Sequence, residues 1–179
     1  HYPDRVSSLT LISAGATNVS DQAGKQGDIQ GKMLSNIMQR DFPYWVSTSL
    51  FKKQFMQLMG ADKEVVATLT QQQIKAIEEL IENMNPASLR KKGAAFDHDA
   101  QLPNSRITRI RIPTLVIHAK DDTLQPYQNA VFVNANIPGS RLISFEKGGH
   151  FAMIIHEAIV SKEVQKHILN PVFEVNQPY

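Results

Sequence analysis

The sequence predicts an α/β fold with a parallel sheet that is interrupted by a long helical segment. Three short runs, at residues 6–13, 114–118 and 140–146, have the length and the aliphatic, β-branched composition of strands. Helical patterns separate these runs, and strands that alternate with helices are typical of a parallel sheet with right-handed crossovers. The run at 114–118 (TLVIH) is nearly continuously apolar, which indicates a strand buried on both faces.

The two connections between the predicted strands differ greatly in length. Residues 14–28 are small and polar and predict a loop, and a helical pattern follows from residue 29 to residue 96. Within that pattern Gly60 and Pro86 mark helix ends, and Thr70 is a predicted N-cap. The remaining predicted elements are a polar linker at 97–105, a short helix at 127–136 and a final helix at 151–169.

Composition limits the classes of function. The chain has 179 residues, 42% of them apolar, which is enough to bury a core. The net charge is +2 with the basic residues dispersed, so we expect no nucleic-acid partner. Cysteine is absent, which excludes a thiolate nucleophile and disulfides. No apolar run has the length of a membrane helix and the first residues do not form a signal peptide, so we expect a cytoplasmic protein without a membrane partner.

Titratable side chains follow two of the predicted strands. Asp121 and Asp122 come after the strand at 114–118, and Gly148-Gly149-His150 follows the strand at 140–146. Functional groups of open parallel sheets collect at the carboxyl ends of the strands, so an acid and a histidine there can meet. An aspartate that orients an imidazole acting as general base is the rear half of a Ser-His-Asp system.

The segments IPTLVIHAKDDTLQP and IPGSRLISFEKGGHF resemble the C-terminal signature of the α/β-hydrolase superfamily. The resemblance implies that Asp122, placed four residues before Pro126, is the triad acid and that His150 is the triad base. Asp121 is the alternative acid, and whichever aspartate is not the acid is expected to cap the loop or face solvent. Ala119 stands where the family usually has glycine. The opening HYPDRVSSLTLIS also resembles the segment that follows the nucleophile in this family. The segment from Asn85-Pro86 to Phe96, which leads to the predicted strand at 114–118, is most similar to small esterases of the aclacinomycin methylesterase type.

The resemblance further implies a division of the chain. Residues 1–19 and 106–179 would form the C-terminal part of the hydrolase sheet, and residues 20–105 would form an inserted helical cap. It implies a small-molecule, ester-like substrate and no metal or organic cofactor. Trp45 and Phe151 are candidate residues of the substrate pocket, although core packing explains Trp45 equally well.

The family motif G-x-S-x-G, which carries the nucleophilic serine, does not occur in these 179 residues. We therefore expect the serine to lie upstream and the chain alone to be nearly inactive. A non-catalytic binding or structural module is the alternative from another class. Haloperoxidase, C–C hydrolase, peptidase and epoxide hydrolase chemistry also remain open.

Several other residues have simpler interpretations. His118 is interpreted as a residue that packs within its strand. The sequence Asp97-His98-Asp99 has no second cluster to complete a metal site and is interpreted as solvated linker. The strand at Val6–Ser13 would pair with the nucleophile strand in a complete hydrolase. Without that neighbour its edge is a template for another chain, so we expect self-association.

Overall fold

One three-stranded parallel sheet organises the part of the chain that the structure describes. The structure is a computed structural model that describes residues 5–172, apart from the side chains of residues 97–99. The strand order is β1-β2-β3, with β1 at Leu9–Ile12, β2 at Thr114–Ala119 and β3 at Arg141–Phe145. The predicted α/β class with a parallel sheet is confirmed. The first and third strands are shorter than the apolar runs that predicted them, because only these residues pair with β2.

The helices fall into two groups along the chain. Six lie between β1 and β2, in residues 20–105, which we call the helical segment: α1 Gln22–Met38, α2 Asp41–Ser49, α3 Lys52–Leu58, α4 Lys63–Thr68, α5 Gln71–Glu82 and α6 Lys91–Asp99. Three accompany the sheet: α7 Gln128–Asn136, α8 Ala152–Ile155 and α9 Glu157–Leu169. Short 3-10 turns occupy Ala87–Arg90, Asn104–Arg109 and Gly149–Phe151. Among residues 5–172, none of the helices is both long and apolar enough to cross a membrane.

Strand β2 is the centre of the sheet and is buried at every position. Leu115 and Ile117 belong to a core cluster that includes Val160 of α9. Val116, which points to the opposite face, belongs to a cluster that includes Val133 of α7. Side chains alternate between the faces of a strand, so helices on both sides explain the continuous apolar pattern.

The helical segment has a core of its own. Tyr44 and Phe55 are buried there with their rings edge to face, 5.7 Å apart between centroids. The Tyr44 hydroxyl donates a hydrogen bond to the carbonyl of Ile81 over 2.6 Å, and burial raises the pKa of Tyr44 to about 12. The same cluster includes Phe151, which lies after β3 and outside the helical segment. The helical segment and the sheet part of the chain, which we define as residues 5–19 and 106–172, therefore share apolar surface.

Three boundaries differ from the sequence prediction. Helix α1 begins at Gln22, inside the predicted loop at 14–28, because the Asp21 side chain accepts a hydrogen bond from the Gly24 N–H over 3.0 Å. The predicted linker at 97–105 is partly helical, since α6 continues to residue 99. The predicted final helix is broken at His156, whose ring stacks on Phe145 with 3.9 Å between centroids.

Helix α5 follows the prediction closely. Thr70 is its N-cap, and the Thr70 hydroxyl accepts from the backbone N–H of Gln73 while the Gln73 side chain accepts from the Thr70 N–H. This reciprocal capping box satisfies two backbone donors that a helix start otherwise leaves without partners.

Candidate active site

The site lies where β2 and β3 end side by side. The register pairs His118 with Ser144 and Ala119 with Phe145, and the Lys120 N–H donates to the Phe145 carbonyl over 2.8 Å. The loop after β2 and the loop after β3 therefore start at the same level of the sheet. This brings the aspartates at 121–122 next to the loop that carries His150, as the strand order in the sequence predicted.

Asp122 is a buried carboxylate whose two oxygens have different partners. Oδ1 accepts from the backbone N–H groups of Leu124 and Gln125, over 3.0 and 2.9 Å. Oδ2 lies 2.9 Å from Nδ1 of His150. The Asp122 side chain is 0% exposed, so its ionised form depends on these donors for stabilisation.

The contact with Asp122 defines the tautomer of His150. A carboxylate oxygen only accepts hydrogen bonds, so Nδ1 carries the proton and the other ring nitrogen, Nε2, is left as the basic atom in the neutral ring. The His150 side chain is 27% exposed, in contrast to its buried partner. An oriented imidazole with a free Nε2 can take a proton from a nucleophile.

Asp121, the other candidate acid, bonds to a different part of the same loop. Its carboxylate accepts from the backbone N–H of Gly148 over 3.3 Å and from that of Gly149 over 2.9 Å. Asp122 therefore faces the imidazole of His150, and Asp121 faces the main chain just before it.

His118 has a second role that its position in a strand did not reveal. Its side chain is 1% exposed, and its Nε2 lies 2.8 Å from the carbonyl oxygen of Gln125 and 3.6 Å from Oδ2 of Asp122. A carbonyl cannot donate, so Nε2 carries the proton in the neutral ring. Burial lowers the pKa of His118, which favours that neutral form. Among the described residues its Nδ1 has no hydrogen-bond partner.

The helical segment reaches the site through Gly60, a contact that the sequence analysis missed. The Gly60 carbonyl accepts from the His150 N–H over 3.3 Å. Gly60 has a φ of +88°, and a Cβ built on it would lie 2.9 Å from Cβ of His150 and 3.0 Å from Oδ1 of Asp122. The sequence marked Gly60 only as a helix end, because nothing local signals a tertiary contact so far along the chain.

A cleft of about 950 Å³ lies beside the loop that follows β2. Its walls include Gly27 of α1, Asn104, Leu124 and Gln125. Leu124 and Gln125, whose N–H groups bond Asp122, line the cleft, whereas Asp122 and His150 are not among its lining residues.

The two candidate pocket residues lie outside the residues that line this cleft. Trp45 is 53% exposed and stacks on Phe42, with 6.4 Å between ring centroids. Phe151 is buried in the core of the helical segment. A role for either side chain in binding a substrate remains a prediction.

The predicted solvated linker at Asp97-His98-Asp99 has side chains outside the described part of the structure. Among the side chains that are described, no group of three or more His, Asp or Glu is placed to hold a metal ion.

The parallel sheet and the helices on both of its faces are the features by which the chain compares with known proteins. Residues 1–157 match the family model described as the alpha/beta hydrolase fold, and the chain belongs to that family. The division into a sheet part and a cap stays a prediction.

Solved structures share this fold at low sequence identity. A thermophilic esterase from Thermogutta terrifontis matches with a TM-score of 0.64 and 16% identity, over 94% of this chain and 57% of that one. A bromoperoxidase from Bacillus anthracis matches with a TM-score of 0.66 and 13% identity, over 93% of this chain and 59% of that one. The meta-cleavage product hydrolase CumD from Pseudomonas fluorescens IP01 matches with a TM-score of 0.61 and 17% identity, over 96% of this chain and 58% of that one.

A curated relative matches a shorter stretch at higher identity. The "Putative carbamate hydrolase RutD" of Stutzerimonas stutzeri (strain A1501) is 38% identical over 60 residues, which is 34% of this chain and 21% of the relative. The chain therefore spans a little over half the length of the solved structures and aligns with about a fifth of the curated relative.

Proposed function

We propose that this chain contributes the acid and the base of a serine hydrolase that cleaves carboxylic esters or related acyl compounds. The observation that carries the proposal is the 2.9 Å contact between Nδ1 of His150 and Oδ2 of a fully buried Asp122, at the ends of adjacent parallel strands. The fold family supports it, since its members order the triad as serine, acid and histidine. We include a cytoplasmic location in the proposal, with which the cysteine-free sequence is compatible.

In the proposed reaction His150 acts first as base and then as acid. Nε2 of His150 removes the proton from a serine hydroxyl as the serine oxygen attacks the carbonyl carbon, and then protonates the departing alcohol. Water attacks the resulting acyl-enzyme with the same proton transfers and releases the acid. Asp122 holds the imidazole in the Nδ1–H tautomer and stabilises its charged form.

The serine in this proposal comes from a segment that precedes the chain, since G-x-S-x-G does not occur in the 179 residues. The residues encoded upstream of His1 provide the first test. A G-x-S-x-G motif about ten to twenty residues before His1 would support the proposal. An initiator Met directly before His1 would contradict it.

Hydrolysis of p-nitrophenyl acetate by the full-length protein is the second test. We expect His150→Ala and Asp122→Asn to lower kcat by about 10³-fold or more, because each disrupts the proton transfer. Glu146→Gln is a matched control, since this nearby carboxylate is 80% exposed and pairs with Lys120. Equal rates for the wild type and His150→Ala would reject the assignment of the base.

Carbamate hydrolysis is a second candidate, favoured by the 38% identity to the relative named as a carbamate hydrolase. The p-nitrophenyl ester and the p-nitrophenyl carbamate of matched size share one leaving group, so their kcat/KM values compare the acyl groups alone. A higher kcat/KM for the carbamate would favour this candidate. Absence of hydrolysis for both, with no serine labelled by a fluorophosphonate, would favour the non-catalytic module.

A further inference from the structure

The loop that carries His150 is held through its main chain. The N–H groups of three successive residues, Gly148, Gly149 and His150, each have an acceptor from another part of the chain. Asp121 accepts the first two, and the carbonyl of Gly60 accepts the third. Every backbone donor that leads into the proposed base is therefore bonded.

This loop has a backbone that needs such support. Gly148 has a φ of +141° and Gly149 a φ of +54°, conformations that glycine adopts readily and other residues rarely do. Both glycines are buried, so their N–H groups would lose hydrogen bonding without a protein acceptor. Two glycines in sequence also leave the chain free to take other conformations, and the Asp121 carboxylate selects one of them.

Asp121 and Asp122 both form hydrogen bonds with the loop that carries His150, but with different groups of it. Asp122 bonds the imidazole, whereas Asp121, the adjacent residue, bonds the peptide groups directly before it. Both carboxylates leave the same short loop after β2, so this one loop bonds the ring of His150 and the main chain just before it.

We propose that Asp121 is a positioning residue for the proposed hydrolase: its carboxylate fixes the turn at Gly148-Gly149 so that Nδ1 of His150 meets Asp122. This inference rests on the proposed function. Asp121 touches no reacting atom, and it acts only through the orientation of His150. A purely structural role would affect the stability of the loop without changing the bond between His150 and Asp122.

The test combines a spectroscopic signature with kinetics in the full-length protein. We expect the proton on Nδ1 of His150, bonded to Asp122, to give a low-field NMR resonance that is identified by its loss in His150→Ala. We expect Asp121→Ala to shift or broaden this resonance and to lower p-nitrophenyl acetate kcat by roughly tenfold to a hundredfold with KM nearly unchanged, as small misplacement of a catalytic group does. Asp121→Asn retains one oxygen acceptor, so we expect a smaller effect in the same direction.

A carboxylate close to Asp121 in the fold provides the control for this test. Glu146→Gln removes a neighbouring exposed carboxylate and should change neither the resonance nor kcat. An unchanged resonance and kcat in folded Asp121→Asn and Asp121→Ala, even with a lower Tm, would overturn the inference. The resonance needs no substrate, so a wild type inactive on esters would count against the proposed function and still leave the role of Asp121 decided.

Discussion

Two of the places where the helical segment meets the strands and their loops differ in character. At Gly60 the contact is close, since a single Cβ there would collide with His150 and Asp122. At the start of α1 the two parts enclose the cleft of about 950 Å³ instead. Close contact and open space therefore alternate along α1, which packs at Gly27 so that an added Cβ would lie 2.8 Å from the Leu124 carbonyl oxygen, and which leaves Gly31 with no atom within 4 Å of its Cβ.

The same substitution at the two places should have opposite effects, and this is the largest difference we expect. Gly60→Ala must adopt a φ of +88° and meets three atoms at 2.9–3.0 Å, so we expect unfolding free energy to fall by about 1–3 kcal/mol. Gly31→Ala lies inside α1, with no atom within 4 Å of its Cβ, and should add about 0.5–1 kcal/mol. Urea denaturation measures both. A loss at Gly31 as large as at Gly60 would refute the distinction.

A smaller effect should follow from the link between α5 and α8. The Gln73 side chain donates to the Ile155 carbonyl over 3.1 Å and accepts from the Thr70 N–H over 2.9 Å. Gln73→Ala removes both bonds, and we expect a loss of about 1–2 kcal/mol in unfolding free energy. The exposed neighbour Gln72, changed to alanine, is the matched control in the same denaturation series. If both variants lost the same stability, the link would contribute nothing of its own.

The smallest effect concerns pH and the wall of the cleft, where His118 holds the Gln125 carbonyl. Burial lowers the pKa of His118 below its usual 6.5. As the pH falls, His118 therefore takes up a proton at a higher pH in the unfolded chain than in the folded chain. The contribution of His118 to stability is therefore complete above pH 6.5 and decreases as the pH falls below it.

His118→Gln isolates this titration, because an amide can donate a hydrogen bond without changing charge. We expect the stability advantage of the wild type over His118→Gln to be smaller at about pH 5.5 than at about pH 7.5. The groups facing His118 are Asp122, His150 and Tyr127, and they are the same in both proteins. A constant difference across this pH range would show that His118 is not responsible.

The sequence predicted β2 and the loops that carry Asp122 and His150 better than it predicted the helical segment. The strand at β2 was evident because apolar residues on both faces produce one continuous run. Asp122 and His150 were predicted together because parallel strands bring their carboxyl ends to one edge. These features depend on patterns that are local in the sequence and on one general property of parallel sheets.

The missed features depend on contacts between distant residues. Gly60 gave only the signal of a helix end, although its main effect is on His150. The early start of α1 was hidden by glycines, which lower helix propensity, while the cap at Asp21 overrides them. The break at His156 arises from stacking on Phe145, which requires the sheet to be formed. Periodicity predicts that helices exist, and tertiary contacts decide where they stop.

The position of β1 at one side of the sheet has a consequence for fragment complementation. Within residues 5–172 β1 pairs with β2 alone, so its other edge is where a preceding hydrolase strand would add. Under our proposal the serine would belong to the polypeptide that adds beyond this edge of β1, whereas Asp122 and His150 belong to the present chain. Two separately produced polypeptides that joined along Leu9–Ile12 would then regain hydrolysis, so the rate of hydrolysis would measure their assembly.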